Sequence, residues 1–273
     1  MISEKFKGLH QQSFDIDITP EPILNITDIS AYNQQEGLSL NDDEVAYHGV
    51  QAIYDLARRQ TDDPWMLTVS FTHPHSPFVI SEEFWDLYDH DDIPLPAVPP
   101  LDLAEMDHLS RNLHYCQARD QFTVTDAHRR TAKHAYYGMI SYIDDKIAAL
   151  RTALNRTGMA DDTIIIFTAD HGEMMGERGM WYKQHFFEWA AHIPLIFHAP
   201  KRWSAGRIRQ NCALVDIMPT LLDLAVDGKF NDYVGPIDGQ SLVPALHGET
   251  NHMRDIAISE FAADGSTGPS RMV

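Results

Sequence analysis

The sequence predicts an α/β fold, a mostly parallel sheet with helices on both faces. Three observations carry this. Trp65–Phe71, Thr163–Phe167 and Ile193–His198 are short apolar runs without helical length, which read as buried strands. A long segment of helical periodicity, from about Asp126 to Asn155, separates the first run from the second. The first two runs lead straight into histidine-bearing loops, at the strand ends where such sheets bind ligands.

Taken in order, residues 1–40 are polar and weakly patterned and form an irregular N-terminal segment; residues 41–273 carry the folded part. Asn41-Asp42-Asp43-Glu44 opens a helix, because acidic residues suit the positive end of the helix dipole. Val45, Ala52, Ile53 and Leu56 give it an apolar face up to about Arg59, and Asp62-Asp63-Pro64 ends it. The first strand feeds Thr72-His73-Pro74-His75-Ser76-Pro77-Phe78, which two prolines force into an irregular loop. Ser81 is placed to cap a short acidic helix running to Tyr88. Ile93–Pro100 holds four prolines and wraps the surface. In the long helix Met139, Ile143, Ile147, Leu150 and Leu154 form one stripe, and Gly158 stands where a left-handed cap is expected. The second strand runs into Thr168-Ala169-Asp170-His171-Gly172-Glu173. A short helical stretch from Phe186 to Ala191 precedes the third strand, and Asp216 opens a last helix with Pro219 in its first turn.

With 273 residues, 44% of them hydrophobic, the chain can bury a substantial core. A net charge of −19 makes it a poor binder of nucleic acid or anionic membrane, since neutralising phosphates takes clustered Lys and Arg. No apolar run approaches the roughly 18 residues of a membrane span. The opening Met1–Lys7 has no apolar stretch behind its charges, so no secretory leader is expected. Cys116 and Cys212 lack redox or metal-motif spacing, which favours a reducing compartment and a cytoplasmic location. The glycosylation patterns at Asn25 and Asn155 are read as chance on that basis. Glu82, Glu83 and Asp86 to Asp92 read as a solvated acidic face, and the two cysteines as small core hydrophobes.

Three groups could carry chemistry. Asp170-His171-Gly172 offers a carboxylate and an imidazole to one divalent cation, with Gly172 letting the backbone bend close; the plainer reading is a helix cap beside a surface histidine. His73-Pro74-His75 places two rings on one side of an extended segment. They could serve as a metal pair or as an acid, base or anion donor, or could simply be solvated. Lys183 sits among Trp181, Tyr182, Phe186 and Phe187, where a lysine can be held for an anion, or paired with Glu188.

These segments resemble the sulfatase family. Ser70–Phe78 is similar to the family's Pro-His-x-Pro loop. Phe167–Glu173 followed by Gly176–Lys183 resembles its second metal loop and active-site lysine. Val215–Ala225 and Asp238–Pro244 resemble the helix and turn that follow. The likeness spans roughly residues 40 to 265, in the family's order, and is nearest to the choline sulfatases of the alkaline phosphatase superfamily. It implies that Asp170 and His171 ligate a divalent cation, calcium, that His75 meets the sulfate and the leaving oxygen, and that Lys183 holds the sulfate oxygens. His73 is left as a supporting residue. The implied partner is a small sulfate ester, with no nucleic acid and no membrane; self-association is left open.

The sequence also departs from the pattern. The family's nucleophile is a formylglycine matured from Cys or Ser in Cys/Ser-x-Pro-Ser-Arg, ahead of the His75 loop, and nothing before Asp42 matches. Cys116-Gln117-Ala118-Arg119 lacks Pro-Ser-Arg, and Thr267-Gly268-Pro269-Ser270-Arg271 puts Thr at the nucleophile's place, far along the chain. The expectation is therefore the central part of a sulfatase catalytic domain over residues 41–273, incomplete at both ends and inactive alone. A phosphonate or phosphodiester hydrolase of the same superfamily is the alternative. An amidohydrolase using His73 and His75 would need eight strand-helix units, of which only about four are visible. A non-catalytic remnant binding metal or anions is the remaining reading.

Overall fold

The computed structural model describes residues 36–59, 63–226, 236–262 and 268–273. The N-terminal segment through residue 35, including Asn25, and Thr267 lie outside the described residues.

The chain alternates helices with short strands: α1 (Glu36–Arg58), α2 (Glu82–Trp85), α3 (His108–Cys116), α4 (Asp126–Thr157), β1 (Ile165–Thr168), α5 (Glu188–Ala191), β2 (Leu195–His198), α6 (Ile217–Val226), α7 (Val243–Leu246), β3 (Ser259–Phe261) and β4 (Ser270–Met272). The 32-residue α4 is the spine. The Thr125 hydroxyl accepts from the His128 amide and the His128 ring accepts from the Thr125 amide, so two end donors are satisfied. Gly158 ends the helix at φ 75°, as expected of a left-handed cap. Its inward stripe is the predicted one: Met139, Ile143 and Leu154 are buried, and Ile147 and Leu150 pack beside them. Ser81 precedes α2, but its side chain makes no capping bond.

α1 begins at Glu36, five residues before the predicted start, and lies along α4. Ile53 of α1 meets Ala153 and Leu154 of α4, with Leu67 and Ile165 packed against them. Burying one such aliphatic side chain stabilises the fold by roughly 1.5–3 kcal/mol. A second cluster joins Met139, Tyr142 and Ile143 to Phe78, Ile80, Met175 and Trp181. It ties both histidine-bearing loops to the same helix.

The strands differ in two respects from the prediction. β1 and β2 pair antiparallel, Ile165 opposite His198 and Thr168 opposite Leu195, and β3 pairs with β4 in the same sense. The predicted parallel neighbours are not among the described residues. The link from β1 to β2 holds only the four-residue α5, whereas a parallel return takes a longer crossover. The run Trp65–Phe71 joins no ladder among the described residues. Its burial alternates: Leu67, Val69 and Phe71 are half-buried, Thr68 and Ser70 exposed. β2 alternates likewise, Leu195 and Phe197 in, Ile196 and His198 out. Among the described residues these segments are thus covered on one face rather than two. No helix among them is long and apolar enough to cross a membrane.

Candidate active site

The loops after the first apolar run and after β1 meet the segment ending in Lys183. The Lys183 ammonium donates to His75 Nε2 at 2.7 Å, across 108 residues of sequence. The His75 and His171 rings stand 6.2 Å apart, edge to face. His171 Nε2 lies 3.5 Å from the Asp170 carboxylate. The four residues singled out in the sequence therefore share one surface site, at the C-terminal end of β1. His73 does not join them; its ring is buried, directed to Asp42 and Tyr142.

The local backbone explains the aim of each group. His75 Nδ1–H donates to the Ser76 carbonyl at 2.6 Å, which leaves Nε2 as the outward acceptor. Partial burial lowers the His75 pKa and the Ser76 bond opposes this; the nearby charges of Lys183 and His171 lower it further. His171 Nδ1–H donates to the Gly172 carbonyl at 2.8 Å, so its Nε2 lone pair also points outward. Gly172 is obligatory here: a Cβ would stand 2.0 Å from the Trp189 carbonyl oxygen. Gly172 N–H donates to Ala190 O, and Glu173 N–H to Trp189 O, each at 2.8 Å, docking the loop on α5.

Lys183 follows a strained turn. Met175, Arg178 and Tyr182 all have positive φ, at 47°, 57° and 66°. Glu173 braces it, accepting from the Tyr182 amide at 2.6 Å and the Met175 amide at 3.2 Å. Burial raises the Glu173 carboxyl pKa, while those amides, Arg119 and Lys183 pull it back. Arg119 donates to the Gly179 and Trp181 carbonyls, and burial pushes its guanidinium down to about 10.

Asp170 and His171 fit a divalent cation in kind. Two outward donors 3.5 Å apart, one carboxylate and one imidazole Nε2 with its other nitrogen engaged, can share an ion. In number they fall short, because no set of three or more such ligands is arranged for an ion among the described residues. Neither thiol fits the nucleophile. Cys116 is exposed at the end of α3, and burial pushes the Cys212 thiol pKa up, away from a reactive thiolate.

Asp42 was not singled out by its sequence motif. It is fully buried and takes hydrogen bonds from Thr72 N–H at 2.8 Å, His73 N–H at 2.9 Å and His73 Nδ1–H at 2.6 Å. Burial raises its pKa, but these bonds outweigh that and hold the carboxyl below its ordinary value.

Comparison with known proteins identifies the family. The sulfatase family model matches residues 11–228. The choline-sulfatase of Rhizobium meliloti (strain 1021) is 41% identical over 232 residues, covering 84% of this chain and 44% of that protein. An arylsulfatase of Clostridium perfringens is 31% identical over 180 residues, covering 64% of this chain and 37% of its own length. In structure, the phosphonate monoester hydrolase of Agrobacterium radiobacter superposes with a TM-score of 0.64 at 31% identity, over 80% of this chain and 45% of that one. The chain spans less than half the length of these relatives. It belongs to the sulfatase family, with that family's α/β fold.

Proposed function

We propose that the chain carries part of the active site of a sulfuric ester hydrolase of choline-sulfatase type, acting on the sulfate ester of a small alcohol. The observation that carries this is the 2.7 Å approach of Lys183 to His75 beside His171. Three nitrogen-bearing side chains thus stand together, the kind of group that binds one small anion. Lys183 binds a peripheral sulfate oxygen, and charge on such oxygens is what a fixed ammonium stabilises. His75, its Nδ1–H held by Ser76, meets the leaving oxygen through Nε2 when that nitrogen is protonated and Lys183 has turned from it to the sulfate; the Nε2 proton passes to the leaving oxygen as the ester bond breaks. Asp170 and His171 would hold a divalent cation, calcium in this reading, whose role there is to polarise sulfate oxygens. No attacking group stands beside them among the described residues, so no turnover is assigned to these residues alone. The cytoplasmic location belongs to the same reading and rests on the free Cys116 and Cys212.

The test is calorimetric titration of the purified chain with sodium sulfate. Saturable binding is expected, with Lys183→Ala weakening it about tenfold or more. Equal affinity in wild type and variant would sink the reading. No sulfate release from choline sulfate above background is expected from the chain alone; robust release would show a nucleophile among its own residues. A phosphonate monoester hydrolase is the second reading, favoured by the likeness to the Agrobacterium radiobacter enzyme. Competition separates the two: choline sulfate should displace sulfate better than a phosphonate monoester does.

A further inference from the structure

His75 rides on a loop whose inner bonds, His75 N–H to Thr72 O at 3.0 Å and His75 Nδ1–H to Ser76 O, close only on the loop itself. They shape the turn without fixing it to the body. Phe78 packs the far end of the loop against α4, and the attachment of its near end comes from α1. The Asp42 carboxylate takes the two consecutive amides of Thr72 and His73 and the His73 ring, three donors on one buried group. The His73 ring in turn lies on Tyr142 of α4, centroids 4.9 Å apart. Next to it, Asp43 takes the Tyr142 hydroxyl at 2.9 Å and the Lys146 ammonium at 2.7 Å, so this end of α1 is fixed to α4. A charge at zero exposure on a packed helix is costly unless fully bonded, so its place calls for a reason beyond solubility.

We propose that Asp42 is a positioning residue for His75: by clamping Thr72 and His73 to α1 it sets where the His75 ring stands against Lys183. The inference rests on the sulfate reading of that pair. A hydrogen bond of 2.7 Å does not survive a displacement of 1 Å or so, and His75 is only two residues beyond the clamp. A carboxylate is required because all three partners are donors. The amide of Asn would turn its own N–H groups on one of them.

The experiment uses the 273-residue chain with labelled His and Lys and reads the nuclear Overhauser cross-peak between the His75 ring and the Lys183 side chain. Sulfate titration and the melting temperature are recorded on the same samples. In wild type the cross-peak is expected. In Asp42→Asn it should vanish while methyl signals of Ile53 and Leu154 stay in place, and sulfate affinity should fall about tenfold. Asp42→Asn with a lowered melting temperature but an intact cross-peak and affinity would overturn the proposal, since that is what a merely structural residue gives. Should Asp42→Asn not fold, His73→Phe decides. It keeps a ring on Tyr142 and removes one donor, so a weakened cross-peak supports the proposal and an unchanged one overturns it. If wild type binds no sulfate but the cross-peak still depends on Asp42, the sulfate reading fails and the positioning role stands.

Discussion

His185 shows what a single buried titratable group does to this protein. It lies two residues past Lys183, is 5% exposed, stacks on Phe187 and has no partner for Nε2 among the described residues. Burial pushes its pKa down to about 4; the Arg119 charge adds to this and Asp107 opposes it. In the unfolded chain a histidine titrates near 6.5. Between about pH 6.5 and 4 the unfolded state therefore takes a proton that the folded state refuses, and stability is lost as pH falls through that window. Urea unfolding at several pH values should show wild type losing up to about 1.4 kcal/mol per pH unit relative to His185→Leu there. Parallel curves would mean that the ring is not held neutral. At this scale the site itself was legible. Asp170, His171 and His75 stood out in loops after strand-like runs, and Lys183 as a lone cation among aromatic side chains. Asp42 was not, although a signal existed: Asp42, Ala46, Gly49 and Ile53 are in phase and all buried, so a carboxylate heads the inward stripe of α1. The acidic cluster around it read as dipole stabilisation and hid the one member that turns inward.

Among elements, those decided by local chemistry were readable. α4 follows from a stripe of apolar residues, a threonine cap and Gly158, all within one segment. Strand pairing was not readable, because an apolar run such as Ile164–Phe167 has the same composition whichever way its neighbour runs. The loop after β1 adds a constraint invisible in sequence, the contact of Gly172 with the backbone of α5. Two glycine substitutions separate the two kinds of constraint. At Gly158 a Cβ meets nothing within 4 Å, so Gly158→Ala costs only left-handed backbone strain, about 1 kcal/mol. At Gly172 the Cβ would overlap the Trp189 carbonyl, so Gly172→Ala must push the loop off α5 and break the bond to Ala190. Its cost should be larger, about 2–3 kcal/mol, and sulfate binding should weaken as Asp170 and His171 move. Chemical denaturation of both variants checks the order. A Gly172→Ala chain as stable as wild type would show that the loop is not seated on α5.

Over the whole molecule, 40 acidic residues face 21 basic ones. Such an excess repels itself and opposes the compact state at low ionic strength. The attractive pairs do little against it. Lys146–Asp43, Lys201–Asp161 and Arg129–Asp126 each have at least one half-exposed or exposed member, and pairs of that kind are worth about 0–1 kcal/mol. Salt screens both contributions, and over an 8–10 Å Debye length it has more repulsion than attraction to remove. The melting temperature should therefore rise by about 2–4 °C from roughly 0.01 to 0.3 M sodium chloride. Chloride is the right anion for that measurement, because sulfate adds a second effect. A ligand held only by the folded state stabilises it by mass action, so at equal ionic strength sulfate should raise the melting temperature above the chloride value. It also strengthens apolar burial in any protein, which is why the comparison is made within a pair of chains. The excess of sulfate over chloride should shrink in Lys183→Ala, whose general salt response is otherwise that of wild type. An equal excess in both would assign the whole effect to bulk solvation and remove the anion from the site. A melting temperature that falls in sodium chloride would mean that attractive pairing outweighs the net charge after all.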